Sequence, residues 1–350
     1  MTLKISGQLP SGKLKETIRR SPNYRNNSFQ NLSPTPVKAE GISYWKMMKG
    51  VLKKSPATKP SGTIVAVHTD LETLSGDPVI IWFGHSSYLL KINGKTFLID
   101  PVLSGSAAPF SFMIRAFAGS NYYTADKMPE IDYIILTHDH YDHLDYKTIL
   151  RLKNKTRHFI CSLGISAHLR YWGIPPEIIT ETDWWDEVNL EADIKITAAP
   201  ARHFSGRGIK RGQSLWSSFI LSAPGHRIYL GGDSGYDTHF AEIGKRFGPF
   251  DLAILECGQY NDMWPLIHMK PEETVQAAID LQAKCLMPVH WGKFDLSTHD
   301  WNEPPARAVA AGKQNNMPVT TPRIGEPVYV GKNYPDKNWW GETVFYCILP

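Results

Sequence analysis

Ile135–Asp145 reads ILTHDHYDHLD. It overlaps the end of the apolar run Ile131–Leu136 (IDYIIL), and from His138 to Asp145 it sets three histidines and three aspartates within eight residues. A short apolar run of this kind predicts a buried strand. Ionisable groups at the tip of a buried strand carry a desolvation cost that something must offset. Two readings follow: a solvated loop, or a site for cations.

The flanking sequence supplies the frame. Val79–Phe83 (VIIWF) is another apolar run. Ser86–Asp100 (SSYLLKINGKTFLID) predicts a hairpin turning at Asn93-Gly94, a pair that readily adopts positive φ. Ser217–Asp233 (SSFILSAPGHRIYLGGD) repeats the plan, with a turn at Pro224-Gly225 and a closing aspartate. Each hairpin precedes a further apolar strand, Ile131–His138 and Phe250–Gly258, and then a helical pattern, Tyr146–Leu152 and Pro271–Ala283. Pro271 at the first helical position and Glu272-Glu273 in the first turn mark the start of the second helix. The repetition implies an α/β protein of two pseudo-repeated halves, their sheets packed face to face beneath outer helices in four layers, αββα.

On that frame the candidate ligands all fall just beyond the C-terminal ends of apolar runs, where loops carry chemistry on a rigid scaffold. They are His138, His140, Asp142, His143, His203, Asp233 and His290. Five imidazoles and two carboxylates exceed one tetrahedral ion and suit two ions sharing a bridge. Nitrogen and oxygen donors without thiolate favour zinc, with manganese or iron also compatible. His138 and His140 are two apart, so an extended backbone points both the same way. The chain then turns, letting Asp142 and His143 face a neighbouring ion.

Composition bounds the rest. The chain has 350 residues, 42% of them hydrophobic, and a net charge of +4. Residues 1–60 hold twelve Lys/Arg against only Glu16 and Glu40, while the remaining 290 residues hold 26 basic and 32 acidic groups. A basic N-terminal arm over 1–60 therefore precedes a mildly acidic body over 61–350, and suggests an anionic surface as partner. Within the arm, residues 44–54 (YWKMMKGVLKK) segregate Lys46, Lys49, Lys53 and Lys54 from Tyr44, Trp45, Met47, Met48, Val51 and Leu52. Such a short amphipathic helix either lies on a membrane surface or packs its apolar face on the body. Cys161, Cys257, Cys285 and Cys347 form no CxxC pair, which argues against a disulfide scaffold and a cysteine-ligated zinc. No apolar leader and no run of about 18 apolar residues is visible, so a cytoplasmic location, with membrane association through the arm, is expected.

THDHYDHLD resembles the signature of the metallo-β-lactamase fold superfamily, over roughly residues 76–335. The resemblance implies an αββα hydrolase in which His138, His140 and His203 hold one metal and Asp142 and His143 the second, with Asp233 as the bridge and His290 as the last ligand. Diiron oxidoreductases of the fold carry Glu at the position of His140. IWFGHSSYLL, FLIDPVLS, FAEIGKRFGPFDLAIL, HMKPEE, VHWGKFDL and the early SPNYRNNSFQN are similar to the N-acylphosphatidylethanolamine-hydrolysing phospholipase D family and its bacterial relatives. That family has a longer insertion before its HxxPEE segment, where this chain has only Asn261–Ile267 (NDMWPLI).

What the resemblance implies is metal-assisted hydrolysis, with water activated between two zinc ions attacking phosphorus or a carbonyl carbon. Asp142 and Asp233 hold the metals and are candidates to relay a proton; His268 is a candidate catalytic or substrate-binding residue, and His85 sits near the expected rim. Asp100 is expected behind a ligand imidazole. The apolar connection Ser104–Tyr123, with Phe110, Phe112, Met113, Phe117, Tyr122 and Tyr123, lines an acyl groove or packs as a lid. The expected function is a phosphodiesterase acting on a phospholipid-like substrate, with a lactonase of the same fold as the alternative. A nuclease would need a strand-clamping domain that the sequence does not show, so nucleic acid is not an expected partner. A serine hydrolase is suggested only by GDSG (Gly232–Gly235). A metal-binding protein without activity fits poorly with an intact ligand set. Expected partners are a small-molecule or lipid substrate and an anionic membrane; a homodimer is allowed.

Overall fold

Both predicted hairpins form. Tyr88–Ile92 pairs antiparallel with Lys95–Ile99 across Asn93 and Gly94, both at positive φ. Ser217–Ala223 pairs with His226–Leu230 across Pro224 and Gly225. The computed structural model describes residues 4–342. The side chains of Tyr44, Met48, Val51 and Leu52, and the whole of Cys347, lie outside the described residues.

The hairpins lie within two mixed sheets. In the seven-stranded sheet the strands run in the order Pro327–Tyr329, Val79–Trp82, Tyr88–Ile92, Lys95–Ile99, Ile131–Leu136, Thr156–Ser162, Ile179–Thr182. In the six-stranded sheet the order is Leu286–Val289, Leu252–Glu256, His226–Leu230, Ser217–Ala223, Lys195–Pro200, Glu187–Asn189. Each half runs antiparallel through its hairpin and then parallel, from Lys95–Ile99 to Ile131–Leu136 in one half and from His226–Leu230 to Leu252–Glu256 in the other. The duplication is broken by Pro327–Tyr329, which returns from the second half to pair with Val79–Ile81 of the first sheet.

Side-chain alternation assigns the layers. Phe219, Leu221, Ile228, Leu230, Leu252 and Ile254 face the other sheet and share one core with Ile80, Leu90 and Phe97, which lie on one face of it. Their neighbours Ile220, Tyr229, Ala253 and Leu255 face the opposite way, against Phe240, Ile243, Val275 and Ala278 of the helices His239–Phe247 and Pro271–Asp280. On the far side Ile149, Leu152 and Leu169 of the helices Tyr146–Leu152 and Ser166–Tyr171 cover the first sheet. This is an αββα sandwich. The helix expected to reach Ala283 stops at Asp280, because Gln282 turns at positive φ and Ala283 already bridges to Phe250.

At one end the sheets are stitched together. Ser217 N–H donates to Thr137 O (3.1 Å). A Cβ on Gly232 would lie 2.7 Å from Ser217 O and 2.9 Å from Thr137 Cβ, so only glycine permits that approach.

The basic N-terminal segment lies against the body. The helix Gly12–Arg20 buries Ile18 beside Tyr24, Phe29, Leu163, Trp184, Leu215 and Trp216, while Lys13, Arg19 and Arg20 face outward. Its cations thus occupy the wet side of a packed element. The second N-terminal helix, Tyr44–Leu52, is anchored at its end by Lys54, whose Nζ meets Asp295 Oδ1 at 2.7 Å. Among the described residues no helix is long and apolar enough to cross a membrane.

Ile18→Ala deletes most of a fully buried side chain and is expected to destabilise the protein by about 2–4 kcal/mol in urea denaturation. A loss near zero would show that the segment does not contribute to the core.

Candidate metal centre

The histidine-rich turn sits at the stitched end of the sandwich. Ile131–Leu136 delivers the chain to Thr137; His140 O then accepts from both His143 N–H and Leu144 N–H, so the backbone curls before the helix begins at Tyr146. The three aspartates have different work. Asp145 caps the helix by accepting from Lys147 N–H (3.1 Å) and Thr148 Oγ1 (2.5 Å). Asp139 points away from the turn and accepts from Gly206 N–H (2.6 Å) and Ser214 Oγ (2.9 Å), with His168 Nε2 at 3.3 Å. Only Asp142 turns toward the other histidines.

The seven residues expected as ligands converge. His138, His140, His203 and Asp233 form one group whose donor atoms lie within 4.8 Å of one another. Asp142, His143 and His290 form a second, joined by His85. Asp233 reaches both: Oδ2 lies 3.7 Å from His138 Nε2, 3.8 Å from His203 Nε2 and 3.1 Å from His143 Nε2, and Oδ1 lies 3.2 Å from His290 Nδ1.

Hydrogen bonds behind the rings decide which nitrogen faces inward. Thr137 Oγ1 donates to Asp100 Oδ2 (2.5 Å), so it can only accept from His138 Nδ1 (3.0 Å). His203 Nδ1 donates to Ile267 O (2.8 Å), and His143 Nδ1 to Asp100 Oδ2 (2.8 Å). His138 and His203 are each left with a bare Nε2 lone pair aimed into the cage, and His143 Nε2 points the same way and offers one once its second proton is gone. Two of those lone pairs, of His138 and His203, lie 3.0 and 3.2 Å from His140 Nδ1. His140 Nδ1 can donate a proton toward these two acceptors, whereas a cation between the three rings would be held by all of their nitrogens at once. His143 Nε2, His290 Nε2 and Asp233 Oδ1 are buried and make no hydrogen bond. The donor set and these orphaned atoms fit a pair of divalent cations.

Electrostatics agree. Burial holds the imidazoles of His138, His203 and His290 well below their ordinary pKa and lowers those of His85 and His140, which keeps them neutral and ready to ligate. For His143 burial acts in the same direction, but the Asp233 and Asp142 carboxylates and the bond to Asp100 overcome it and raise the value well above normal. Burial would raise Asp142 and Asp233, yet His143 holds both below the usual carboxylate range. A cation entering here displaces the proton that His143 would otherwise keep.

His268 lies at the edge of the same cage. Its ring packs edge-on to His203 and stacked on His290, with both centroid distances 5.1 Å, and it shares a 4.8 Å group with Asp233 and His290. Asp100 stands behind His143, as the closing residue of its hairpin, with φ at 40°. Ser234 of the GDSG string is buried; it accepts from Arg202 N–H, donates to Gly235 O and lies 3.3 Å from the buried His239 Nε2.

Several supporting residues escaped the sequence reading. His85, placed there only near the rim, brings Nε2 to 2.9 Å from Asp142 Oδ2 and packs against His290 with ring centroids 4.1 Å apart, tilted by 38°. His85 and His290 both sit at positive φ, and His290 N–H donates to His85 O. The signal was present: His85 also follows an apolar strand. Asn31 closes the SPNYRNNSFQN string, but nothing in its spacing pointed to a part in the site. Its side chain accepts from His203 N–H (3.0 Å) and donates to His203 O (2.8 Å), clamping that ligand's backbone from 172 residues away in sequence. Arg207 donates to Asp139 O, Leu144 O and Ile5 O, tying the metal turn to the N-terminus.

Comparison with known proteins agrees with this geometry. Residues 95–291 match the model of the β-lactamase superfamily domain. An uncharacterised protein of Mycobacterium tuberculosis (strain ATCC 25618 / H37Rv) is 37% identical over 327 residues, covering 90% of this chain and 86% of that protein. The N-acyl-phosphatidylethanolamine-hydrolyzing phospholipase D 1 of Caenorhabditis elegans is 31% identical over 238 residues, 63% of this chain and 65% of that protein. Among solved structures, Igni18, a metallo hydrolase from Ignicoccus hospitalis, is similar with a TM-score of 0.53 at 21% identity, covering 72% of this chain and 97% of that one.

Metal analysis of the purified protein is expected to find a pair of divalent cations per chain. His140→Ala and His143→Ala should each lose cation, and Asn31→Ala should lower occupancy with the ligands intact. Undiminished metal in both histidine variants would refute the assignment.

Proposed function

The chain belongs to the β-lactamase superfamily domain family, and we propose that it is a dinuclear metal-dependent hydrolase, a phosphodiesterase of the phospholipase D type acting on a phospholipid-like substrate. The observation that carries the metal half of this reading is Asp233, one carboxylate facing two groups of inward-pointing donors. His138, His140 and His203 would hold one cation, Asp142, His143 and His290 the other, and Asp233 both; zinc suits this nitrogen and oxygen set. When bound, such cations lower the pKa of water toward about 7 and stabilise charge developing on the attacked oxygen.

The protein's own side chains do the rest. Asp100, Thr137 and Ile267 O fix the tautomers of the ligand imidazoles, so that no reorientation is needed during the reaction. Phe294, packed edge-on to His85, and the fully buried Trp82 and Trp291 keep water from the back of the cage.

The lipid half rests on the phospholipase D relative and on the surface around the Ser104–Tyr123 connection. Phe117 and Tyr123 join the core, as a packed lid would, while Phe112 is 70% exposed and Phe110 and Met113 are also exposed. A cavity of about 410 Å³ is lined by Phe112, Ile114, Ala116 and Phe117 together with Arg115, Lys59 and Asp295, the last 3.9 Å from Lys59 Nζ. That suits an acyl chain beneath an anionic head. Trp45, 63% exposed, stands on the helix Tyr44–Leu52 with exposed Lys46 and Lys49 beside it, a pairing suited to an anionic membrane surface.

Chelation is expected to abolish hydrolysis and zinc to restore it. In a screen of phosphodiesters, lactones and thioesters, phosphodiesters with a lipid part should turn over fastest; a marked preference for lactones would replace this reading with a lactonase. Trp45→Ala with Lys46→Glu and Lys49→Glu should weaken sedimentation with phosphatidylserine vesicles and leave turnover of a soluble diester unchanged. Equal sedimentation would remove the membrane from the account.

A further inference from the structure

A cavity of about 570 Å³ opens beside the metal centre, and the ligand His203 forms part of its wall. Phe204 continues that wall; its ring lies 4.5 Å from the His140 ring and 4.9 Å from that of His203. The Arg211 guanidinium carbon lies 5.0 Å from the Phe204 centroid, so a fixed positive charge stands one ring away from the cage. A second cation, Arg25, enters the same cavity from the N-terminal hairpin, in which Tyr24–Arg25 pairs with Ser28–Phe29. The hairpin is docked beside Arg211: Phe29 N–H donates to Gly212 O (2.9 Å), and a Cβ on Gly212 would run into Ser28 Oγ. Two arginines far apart in the chain are thus set around one space.

No aspartate or glutamate lines that space. Among the described residues neither Arg25 nor Arg211 forms an ion pair, and both are exposed. The neighbouring arginines are committed elsewhere. Arg202 donates to Thr35 Oγ1, Tyr236 O and Pro34 O and lies 3.7 Å from Asp237, while Arg207 holds the carbonyls of Asp139 and Leu144. The uncharged lining mixes hydrogen-bonding side chains, Asn26, Gln30 and Thr35, with Leu32 and Phe204. Two uncompensated guanidinium groups in such a wall attract an oxyanion, and their planar forks match a phosphoryl group best. The same charges disfavour a quaternary ammonium group. The more apolar cavity at Phe112 and Phe117 has no ligand residue in its wall, whereas this one borders the reacting centre.

We propose that this cavity is a head-group subsite in which Arg25 and Arg211 bind a second oxyanion, a phosphoryl group carried by the polar arm of the substrate. The inference rests on the hydrolase reading above and narrows its substrate class to diesters whose head is itself anionic. Neither arginine reaches the bond that breaks; together they select which head is held beside it. A carboxylate on the arm meets the same charges with one oxygen fewer and ranks second. A neutral arm leaves both guanidinium groups to solvent, and a cationic arm is repelled.

The test uses the zinc-loaded protein and lipid phosphodiesters dispersed in an uncharged detergent. The diesters share one six-carbon arm that ends in phosphate, carboxylate, hydroxyl or trimethylammonium. kcat/KM is expected to be highest for the phosphate arm, at least about tenfold above hydroxyl, and lowest for trimethylammonium. Arg25→Ala and Arg211→Ala should each cut the preference for phosphate over hydroxyl about tenfold, chiefly through KM. Arg211→Glu should shift the order toward trimethylammonium. Both side chains are exposed, so metal content and Tm should stay at the wild-type level. A readout independent of turnover is calorimetric binding. Hexanediol bisphosphate should bind the wild type at least about tenfold tighter than hexanediol monophosphate, and the gap should close when both arginines are replaced by alanine. A preference that neither alanine variant moves, or fastest turnover with any arm other than phosphate, overturns the subsite and leaves the hydrolase reading standing. A wild type inert toward all four diesters overturns the hydrolase reading, and equal binding of the two hexanediol phosphates then overturns the subsite as well.

Discussion

Imidazoles and carboxylates held out of water at one end of a sandwich are a cost before they are a site. Desolvation alone would drive such groups apart or neutralise them. Here the surroundings do the opposite. Asp100, Thr137 and Ile267 O hold proton-bearing nitrogens outward, and the bare nitrogens meet around Asp233. The rest of the architecture follows from that demand. Two rigid sheets must end at one place, and loops from both must be pinned there by something stiffer than themselves.

The pinning runs through backbone contacts that only particular residues allow. Gly232 lets the end of the second hairpin press against Thr137 and Ser217. His85 and His290 adopt positive φ and bond to each other's loops, which locks the first sheet's opening turn to the last ligand of the second. Positive φ is unfavourable for a side-chain-bearing residue and persists where the neighbours over-determine it. That it occurs at His85, Asp100 and His290 together marks this end of the molecule as the one where geometry outranks local comfort.

The N-terminal segment belongs to the same machinery. Asn31 clamps the backbone of His203, and the contacts of Ile5 and Arg207 reach the turn through Asp139 and Leu144. A stretch that stands out by its positive charge is therefore also a brace. The two descriptions are compatible because the cations point outward while Ile18, Tyr24 and Phe29 point in. Net charge over a window reports a surface, and says nothing about the side facing the core.

The sequence by itself determined the layered fold and the meeting of the seven expected donors. Both were legible because hairpins, strand ends and the HxHxDH spacing are local patterns, written within a few residues of one another. Period-two alternation assigned the inner and outer faces, and Asn93-Gly94 announced its turn. The tertiary structure alone decided which aspartates of ILTHDHYDHLD serve the cage, that His85 joins it, that Asn31 braces His203, and that Arg25 and Arg211 line one cavity. Those facts depend on contacts between residues far apart in the chain, where no spacing rule applies. A carboxylate that caps a helix and one that faces a cation are the same letter, and only the direction in which the folded backbone aims each one tells them apart.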